Sequence, residues 1–201
     1  MVIGVDFDNT VISYDDLFHK LALDRSLIPA SLPATKQHVR DYLRRVGKEP
    51  SWTELQGSAY GPHIREARPF PGVLQFFNRC GMNGRHVFII SHKTQYAIAG
   101  PRNDLHKAAH EWLSLHGFYD GARGGLTRDR VYFDLTKQAK LDRIAKLGCT
   151  HFIDDLPEFL GEESFPPDVQ KILFDPNETT IASGPFVHVS SWSQIESMVF
   201  D

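Results

Sequence analysis

Four carboxylates and one hydroxyl group in this sequence stand at or just after the ends of short apolar runs: Asp6, Asp8, Ser91, Asp154 and Asp155. A carboxylate can attack phosphorus as a nucleophile, and a second carboxyl group can protonate a leaving oxygen and then activate water. Clustered carboxylates repel one another unless a cation lies between them, and Mg²⁺ prefers oxygen ligands of this kind. If the five side chains meet in the folded protein, they predict metal-assisted phosphoryl chemistry.

Three apolar runs must position these side chains: Val2–Val5, Val87–Ile90 and Phe152–Ile153. Short runs of this kind are typical of buried parallel strands. In an open α/β sheet, ligands bind at the carboxyl ends of the strands, so the polar residues that follow the runs are expected at one rim. Asp8 falls just past the first run, where the chain turns. Its carboxylate and that of Asp6 can therefore approach one point from different directions.

Apolar and helical segments alternate along the chain from residue 71 onward. This alternation predicts parallel strands joined by right-handed crossovers, and hence an α/β fold. Further strands are expected at 131–133, 171–174 and 186–189. Helices are expected at 73–79, from Asn103 or Asp104 to Gly117, from Thr136 to Gly148, and from Ser191 onward. The Gly- and Arg-rich stretch 121–130 is expected to be a loop.

Residues 11–70 have a different texture, with helical patterns and no convincing strand. A helix is expected over 35–46, ended by Gly47, with an inward face made of Val39, Tyr42, Leu43 and Val46. Ser51-Trp52-Thr53-Glu54 has the spacing of a capping box, which predicts the start of another helix there. The segment is therefore expected to be a small helical cap, inserted into an α/β core made of residues 1–10 and 71–201.

Length and composition limit the class of protein. The 201 residues allow one domain with a modest insertion, and contents of 41% hydrophobic and 23% charged residues are typical of a soluble globular protein. The absence of a membrane-spanning apolar run and of a signal peptide predicts a cytoplasmic protein. A net charge of −3 gives no reason to expect nucleic acid. Cys80 and Cys149 have no spaced partner, which favours buried thiols over a disulfide or a zinc site.

The stretch Asp6-Phe7-Asp8-Asn9-Thr10 after an apolar strand resembles the first motif of the haloacid dehalogenase (HAD) superfamily. Ser91 is similar to its second motif, and Asp154-Asp155 is similar to its fourth. The third motif is a lysine near the start of the helix that precedes the fourth motif. Lys137 and Lys140 both fit by position, and Lys137 is preferred because it lies in the first helical turn. The resemblance covers residues 1–10 and 71–201 and reproduces the motif order. It implies a doubly wound, Rossmann-like parallel sheet with the first strand in a central position.

The resemblance also implies a role for each site residue. Asp6 would be the nucleophile and Asp8 the general acid and base. Mg²⁺ would bind the carboxylates of Asp6 and Asp154 and the main-chain carbonyl of Asp8, while Asp155 would hold a metal-bound water or the lysine. Ser91 and the lysine would bind phosphoryl oxygens. Further substrate contacts are expected from Asn9, Thr10, His92 and Lys93.

An aspartate at position 8 matters for the reaction, because members of the superfamily that cleave carbon–halogen bonds usually lack this acid. The predicted function is that of a Mg²⁺-dependent phosphatase, which hydrolyses a small phosphorylated metabolite through a covalent aspartyl phosphate. Two alternatives stay open from the sequence. One is a phosphotransferase or mutase that excludes water behind a tighter lid, and the other is a binding module of the same fold without turnover. The sequence indicates neither the substrate nor the oligomeric state.

Overall fold

The computed structural model describes residues 1–121, 125–178 and 183–201, so residues 122–124 of the predicted loop lie outside the described residues. The chain divides into two compact units. One, the core unit, consists of residues 1–11, 69–93 and 116–201. The other, the helical unit, consists of residues 12–68 and 94–115.

The strands in the described part of the chain are, in chain order, β1 (Val2–Val5), β2 (Ile12–Ser13), β3 (Arg68–Pro69), β4 (His86–His92), β5 (Val131–Asp134), β6 (His151–Asp154), β7 (Gln170–Phe174) and β8 (Val187–Val189). Six of them form one sheet in the order β5-β4-β1-β6-β7-β8, and every neighbouring pair is parallel. The predicted α/β class and the interior position of the first strand are confirmed.

The helices of the described residues are α1 (Asp15–Asp24), α2 (Lys36–Arg45), α3 (Glu49–Tyr60), α4 (Val73–Met82), α5 (Leu105–Leu115), α6 (Lys137–Lys146), α7 (Pro157–Leu160) and α8 (Trp192–Phe200). Within the described ranges, no helix combines the length and the apolar character needed to cross a bilayer.

Three helices start with the predicted cap, in which a hydroxyl accepts a hydrogen bond from a backbone N–H of the first turn. The capping residues are Thr35 before α2, Thr136 before α6 and Ser191 before α8. α3 differs from its prediction, because it begins at Glu49 rather than at the Ser51 capping box. Pro50 lies in its first turn, where the fixed φ of proline suits the start of a helix and no N–H is needed.

The inward face of α2 is narrower than the sequence predicts. Val39 and Leu43 are buried, but Tyr42 is half-buried and Val46 is 44% exposed. Val46 is the C-cap residue and no longer follows the helical spacing, so the buried stripe stops with the last full turn.

Residues 94–115 belong to the helical unit and not, as the sequence suggested, to the core. Trp112 on α5 is fully buried, and its indole N–H donates to the carbonyl of Ala67, 2.9 Å away. Asp104, rather than Asn103, caps α5 by accepting a hydrogen bond from the N–H of Lys107 at 2.8 Å. The helical unit therefore includes α5, which residues 69–93 of the core unit separate in sequence from the main segment 12–68. The role of the helical unit as a substrate-selecting cap stays a prediction.

Gly4 controls how closely β1 and β6 approach. A Cβ atom on Gly4 would lie 2.5 Å from the ring of Phe152, its partner in the parallel register. Real Cβ atoms do not come that close, so only glycine lets the Phe152 ring pack against β1. The same register pairs Val5 with Ile153 and with Ile89 of β4, so the ends of these three strands are held side by side.

Candidate active site

Asp6 and Asp154 lie next to each other at the carboxyl ends of β1 and β6. The N–H of Asp6 donates to the carbonyl of Ile153 at 2.8 Å, which continues the ladder between the strands by one residue. Both side chains are buried, and Asp154 has no exposed surface. Two carboxylates thus occupy adjacent positions in a low-dielectric interior, where they require compensation by positive charge.

Asp155 completes an acidic group with these two residues. One carboxylate oxygen from each of Asp6, Asp154 and Asp155 lies within 4.8 Å of the other two. Asp154 Oδ1 also accepts a hydrogen bond from the N–H of Leu156 at 2.9 Å, and Asn9 Nδ2 donates to Asp155 Oδ2 at 3.4 Å. These contacts fix the orientation of two of the carboxylates. Three clustered carboxylate oxygens are the donor set of a hard divalent cation, so the residues present fit a metal site.

Lys140 is the lysine of this site. Its Nζ lies 2.6 Å from Asp6 Oδ1 and 2.6 Å from Asp154 Oδ2, so one ammonium group binds both carboxylates. The side chain is buried, and its Nζ lies 4.1 Å from the centroid of the Phe159 ring. When the three aspartates are ionised, the three negative charges and this single positive charge sum to −2. That balance suits one divalent cation.

The preference for Lys137 over Lys140 is wrong. Lys137 is the first residue of α6, its side chain is exposed, and its Nζ lies 3.8 Å from Glu162. Lys140 shares the buried face of α6 with Leu141 and Ile144. Residues 140 and 144 are one helical turn apart, and this face packs on the sheet, so the helix turns the second lysine and not the first toward Asp6.

Burial sets the protonation behaviour of the acidic pair. Desolvation raises the pKa of Asp6 to about 6; the Lys140 ammonium opposes this shift, while Asp154 and Asp8 add to it. Desolvation lowers the pKa of Lys140, because it disfavours the charged ammonium. The negative charges of Asp154 and Asp6 outweigh this effect and raise the pKa of Lys140 above its ordinary value. The lysine is therefore a permanent cation of the site, whereas Asp6 exchanges its proton near pH 6.

Asp8 is bound by a different lysine. Lys93 Nζ lies 2.9 Å from Asp8 Oδ1 and 2.8 Å from Asp8 Oδ2. The side chain of Lys93 is 2% exposed and that of Asp8 is 20% exposed. The sequence had placed Lys93 among the substrate contacts. In the structure its ammonium instead contacts the carboxylate of Asp8, the second aspartate of the first motif.

The other predicted site residues differ in how they are placed. Ser91 is buried in β4, paired in register with Phe133, and His92 next to it is exposed. Asn9 is half-buried, has a left-handed backbone (φ 59°) and contacts Asp155, as described above. Thr10 is fully buried, and its carbonyl accepts a hydrogen bond from the indole N–H of Trp192 at 3.2 Å. Thr10 therefore packs within the core unit, and its role as a substrate contact stays a prediction.

Sequence reasoning missed two further aspartates at strand ends. Asp134 ends β5, and its carboxylate accepts a hydrogen bond from Arg143 at 2.8 Å. Asp175 follows β7 and lies 3.2 Å from the ring nitrogen Nε2 of His188. Both aspartates are buried. The signal that revealed Asp6 and Asp154, an apolar run followed by an aspartate, is also present before these two residues.

Three solved structures illustrate what this chain is similar to. A HAD-type hydrolase from Bacillus subtilis, bound to magnesium, is 10% identical and matches with a TM-score of 0.60 over 100% of this chain and 98% of that chain. A HAD family hydrolase from Deinococcus radiodurans, with bound phosphate and sodium, is 12% identical, with a TM-score of 0.60 over 98% and 94% of the two chains. A dehalogenase is 14% identical, with a TM-score of 0.53 over 98% and 96%.

No protein-family model matches the sequence, and no curated protein matches it. The similarity to solved structures extends over nearly the whole chain, although the identities are low. It establishes the fold: this chain has the HAD-like fold, as the order of its motifs had implied.

Proposed function

We propose that this protein is a Mg²⁺-dependent phosphatase, which hydrolyses a small phosphomonoester through an aspartyl phosphate on Asp6. One observation carries the proposal: the carboxylates of Asp6 and Asp154 share the Lys140 ammonium at 2.6 Å each, with Asp155 beside them. A buried nucleophile, a fixed cation and an acidic group that fits a divalent metal are the parts that phosphoryl transfer to a carboxylate requires.

The metal would be held by the carboxylates of Asp6, Asp154 and Asp155. When bound, Mg²⁺ neutralises negative charge on the phosphoryl oxygens and so lowers the repulsion that a carboxylate nucleophile meets. The choice of Mg²⁺ rests on the all-oxygen donor set. It is supported by the Bacillus subtilis hydrolase of the same fold, which was solved with magnesium. The phosphate bound by the Deinococcus radiodurans hydrolase supports the substrate class.

Asp6 and Asp8 divide the chemistry between them. A carboxylate oxygen of Asp6 forms a bond to phosphorus while the bond from phosphorus to the ester oxygen breaks, and Asp8 gives its proton to that oxygen. Water then attacks the phosphorus of the aspartyl phosphate. Asp8 takes up a proton from this water, the bond between Asp6 and phosphorus breaks, and inorganic phosphate leaves. Lys140 stays protonated throughout and stabilises the charge that develops near Asp6.

Asp8 also favours ester hydrolysis over dehalogenation, the reaction named for one of the similar structures. A halide leaves as a stable anion and needs no proton. An alkoxide is a poor leaving group and needs one. The 20% exposure of Asp8, two residues after the proposed nucleophile, supports its role as the donor of that proton. The site of this chain therefore fits a phosphoester better than a carbon–halogen bond.

The function is tested by measuring the hydrolysis of 4-nitrophenyl phosphate in Mg²⁺, in EDTA, and in EDTA followed by excess Mg²⁺. We expect turnover in Mg²⁺, its loss in EDTA and its recovery on addition of the metal. A 2-haloacid serves as the control substrate and should release no halide. Release of halide without release of phosphate would identify a dehalogenase, and no turnover on a panel of phosphate esters would favour a binding module.

The raised pKa of Asp6 predicts that Mg²⁺ binds more weakly at low pH. Asp6 must be ionised to ligate the metal, and its pKa of about 6 leaves it mostly protonated at pH 5.5 and mostly ionised at pH 7.5. The affinity for Mg²⁺ is therefore expected to fall about fourfold between pH 7.5 and pH 5.5. Calorimetric titrations at the two pH values measure this change, with Asp6→Asn as a control that should bind weakly and without the same pH dependence. Equal affinities at both pH values would contradict the prediction.

A further inference from the structure

Lys93 has no role in the chemistry described so far, although its ion pair with Asp8 is one of the most buried of the core unit. The Lys93 ammonium contacts both oxygens of one carboxylate, at 2.9 and 2.8 Å. Its side chain is 2% exposed, while that of Asp8 is 20% exposed. The carboxylate, and not the ammonium, is thus the part of the pair that faces outward.

The lysine itself is anchored at both ends of its side chain. Its backbone N–H donates to the carbonyl of Asp134 at 2.9 Å, which joins the end of β4 to the end of β5. The carboxylate of Asp134 is in turn bound by Arg143 on α6. At the other end, Lys93 Nζ lies 5.5 Å from the ring centroid of Phe7, a ring that packs edge-on against Phe133. The Lys93 ammonium is therefore held in a fixed position relative to the sheet.

Asp8 is the less buried member of the pair, with a side chain that is 20% exposed. It lies beyond the end of β1, and the next residue, Asn9, has a left-handed backbone that turns the chain away. A general acid and base must present an oxygen to the leaving group and later to water, within hydrogen-bonding distance each time. Free rotation of the carboxylate would lower the fraction of molecules in which that geometry exists.

We infer that Lys93 is a positioning residue, which orients the carboxylate of Asp8 toward the reacting phosphoryl group. The inference rests on the proposed function and adds to it. Each carboxylate oxygen has two acceptor sites, so an ammonium bound to both oxygens still leaves one site on each for a proton. Lys93 acts through Asp8 and does not contact the substrate, which replaces the prediction made from its place after Ser91.

The test compares two esters of phosphate that differ in their need for a general acid. An alkyl phosphate releases an alkoxide and needs the proton of Asp8, whereas 4-nitrophenyl phosphate releases a stabilised anion and hardly needs it. The quantity to measure is kcat/KM. It reports the transfer of the phosphoryl group to Asp6 and does not depend on the rate of the later attack of water. For Lys93→Met we expect a loss of about 100-fold with the alkyl ester and of less than about tenfold with the aryl ester.

Two further variants separate positioning from a structural or direct binding role. In an Asp8→Asn background, Lys93→Met should cause no additional loss with the alkyl ester, because the group that it positions is already absent. Lys171→Met is the matched control: this strand lysine of β7 donates to the carbonyl of Leu160 at 2.8 Å, so its loss should affect stability without changing the ratio between the two esters. If Lys93→Met does not fold, Lys93→Gln, which keeps a donor, takes its place.

Equal losses with both esters, or additive losses in the Asp8→Asn background, would overturn the inference and indicate a direct contact with the phosphoryl group. These outcomes leave the proposed function intact, because the wild-type protein still turns over both esters. A wild-type protein that hydrolyses neither ester in Mg²⁺ would overturn the proposed function and, with it, the inference about Lys93.

Discussion

Asp6→Asn is expected to abolish hydrolysis, with a loss in kcat of at least about 10⁴-fold, while the protein stays folded. An amide oxygen is a poor nucleophile and forms no stable bond to phosphorus, so the first step cannot occur. The loss is measured with 4-nitrophenyl phosphate in saturating Mg²⁺. Asp175→Asn is a matched control, because Asp175 is also a buried aspartate at the end of a strand of this sheet. It contacts His188 and is not one of the three clustered carboxylates.

The same variant should be more stable than the wild type when metal is absent. Desolvation raises the pKa of Asp6 to about 6, compared with about 4 in an unfolded chain, so the folded state loses stability as the pH rises from 4 to 6. Asparagine imitates the neutral acid. At pH 7.5 in EDTA we expect a gain of about 1–3 kcal/mol in the free energy of unfolding, which should vanish near pH 4. Thermal unfolding at both pH values measures it. Activity close to that of the wild type, or lower stability at pH 7.5, would refute the assignment of Asp6.

Lys140→Met is expected to have the second largest effect. Removing the ammonium leaves Asp6 and Asp154 adjacent, buried and without their shared partner, which costs about 3–5 kcal/mol of stability in metal-free protein. Hydrolysis should fall by at least about 100-fold, because a fixed positive charge beside the nucleophile is lost. Excess Mg²⁺ should restore part of the stability, since a cation again lies between the carboxylates. Thermal unfolding with and without Mg²⁺, together with initial rates, measures these effects.

Lys137→Met is the natural comparison, because it removes the other candidate lysine from the same helix. Its Nζ lies on the surface near Glu162, so stability should change by less than about 0.5 kcal/mol and the rate should be unchanged. If Lys137→Met were the variant that lost activity, the first helical turn would supply the catalytic lysine after all, and the structure would have to rearrange in solution to bring it there.

The strand ends could be read from the sequence because their signal is local. A short apolar run that ends at an aspartate or a serine predicts a buried strand. It also predicts that the polar residue lies at the carboxyl end of that strand, at the rim of the sheet. Val2–Val5 before Asp6 and Phe152–Ile153 before Asp154 needed no knowledge of distant residues. The caps at Thr136 and Ser191 were equally local, because a hydroxyl at the start of a helix contacts an N–H only three residues away.

The partners within the site could not be predicted in this way, because packing selects them. Lys137 and Lys140 are three residues apart on one helix, and only the contact of that helix with the sheet decides which lysine turns inward. Lys93 and Asp8 are 85 residues apart in sequence, and no local sequence pattern around either residue predicts that they form an ion pair. The assignment of residues 94–115 to the helical unit has the same origin, since the contact between Trp112 and Ala67 is invisible to local patterns.

The strand order has a consequence for how the site comes into being during folding. β1 lies between β4 and β6, so the acidic group and Lys140 meet only after segments separated by more than 130 residues have docked. Among the described residues, no single crossover unit holds all three carboxylates, and contacts of such long range form slowly. We therefore expect the proposed hydrolysis to appear late in folding and in a single step. An intermediate with an incomplete sheet would be inactive, so turnover would report the completion of the sheet.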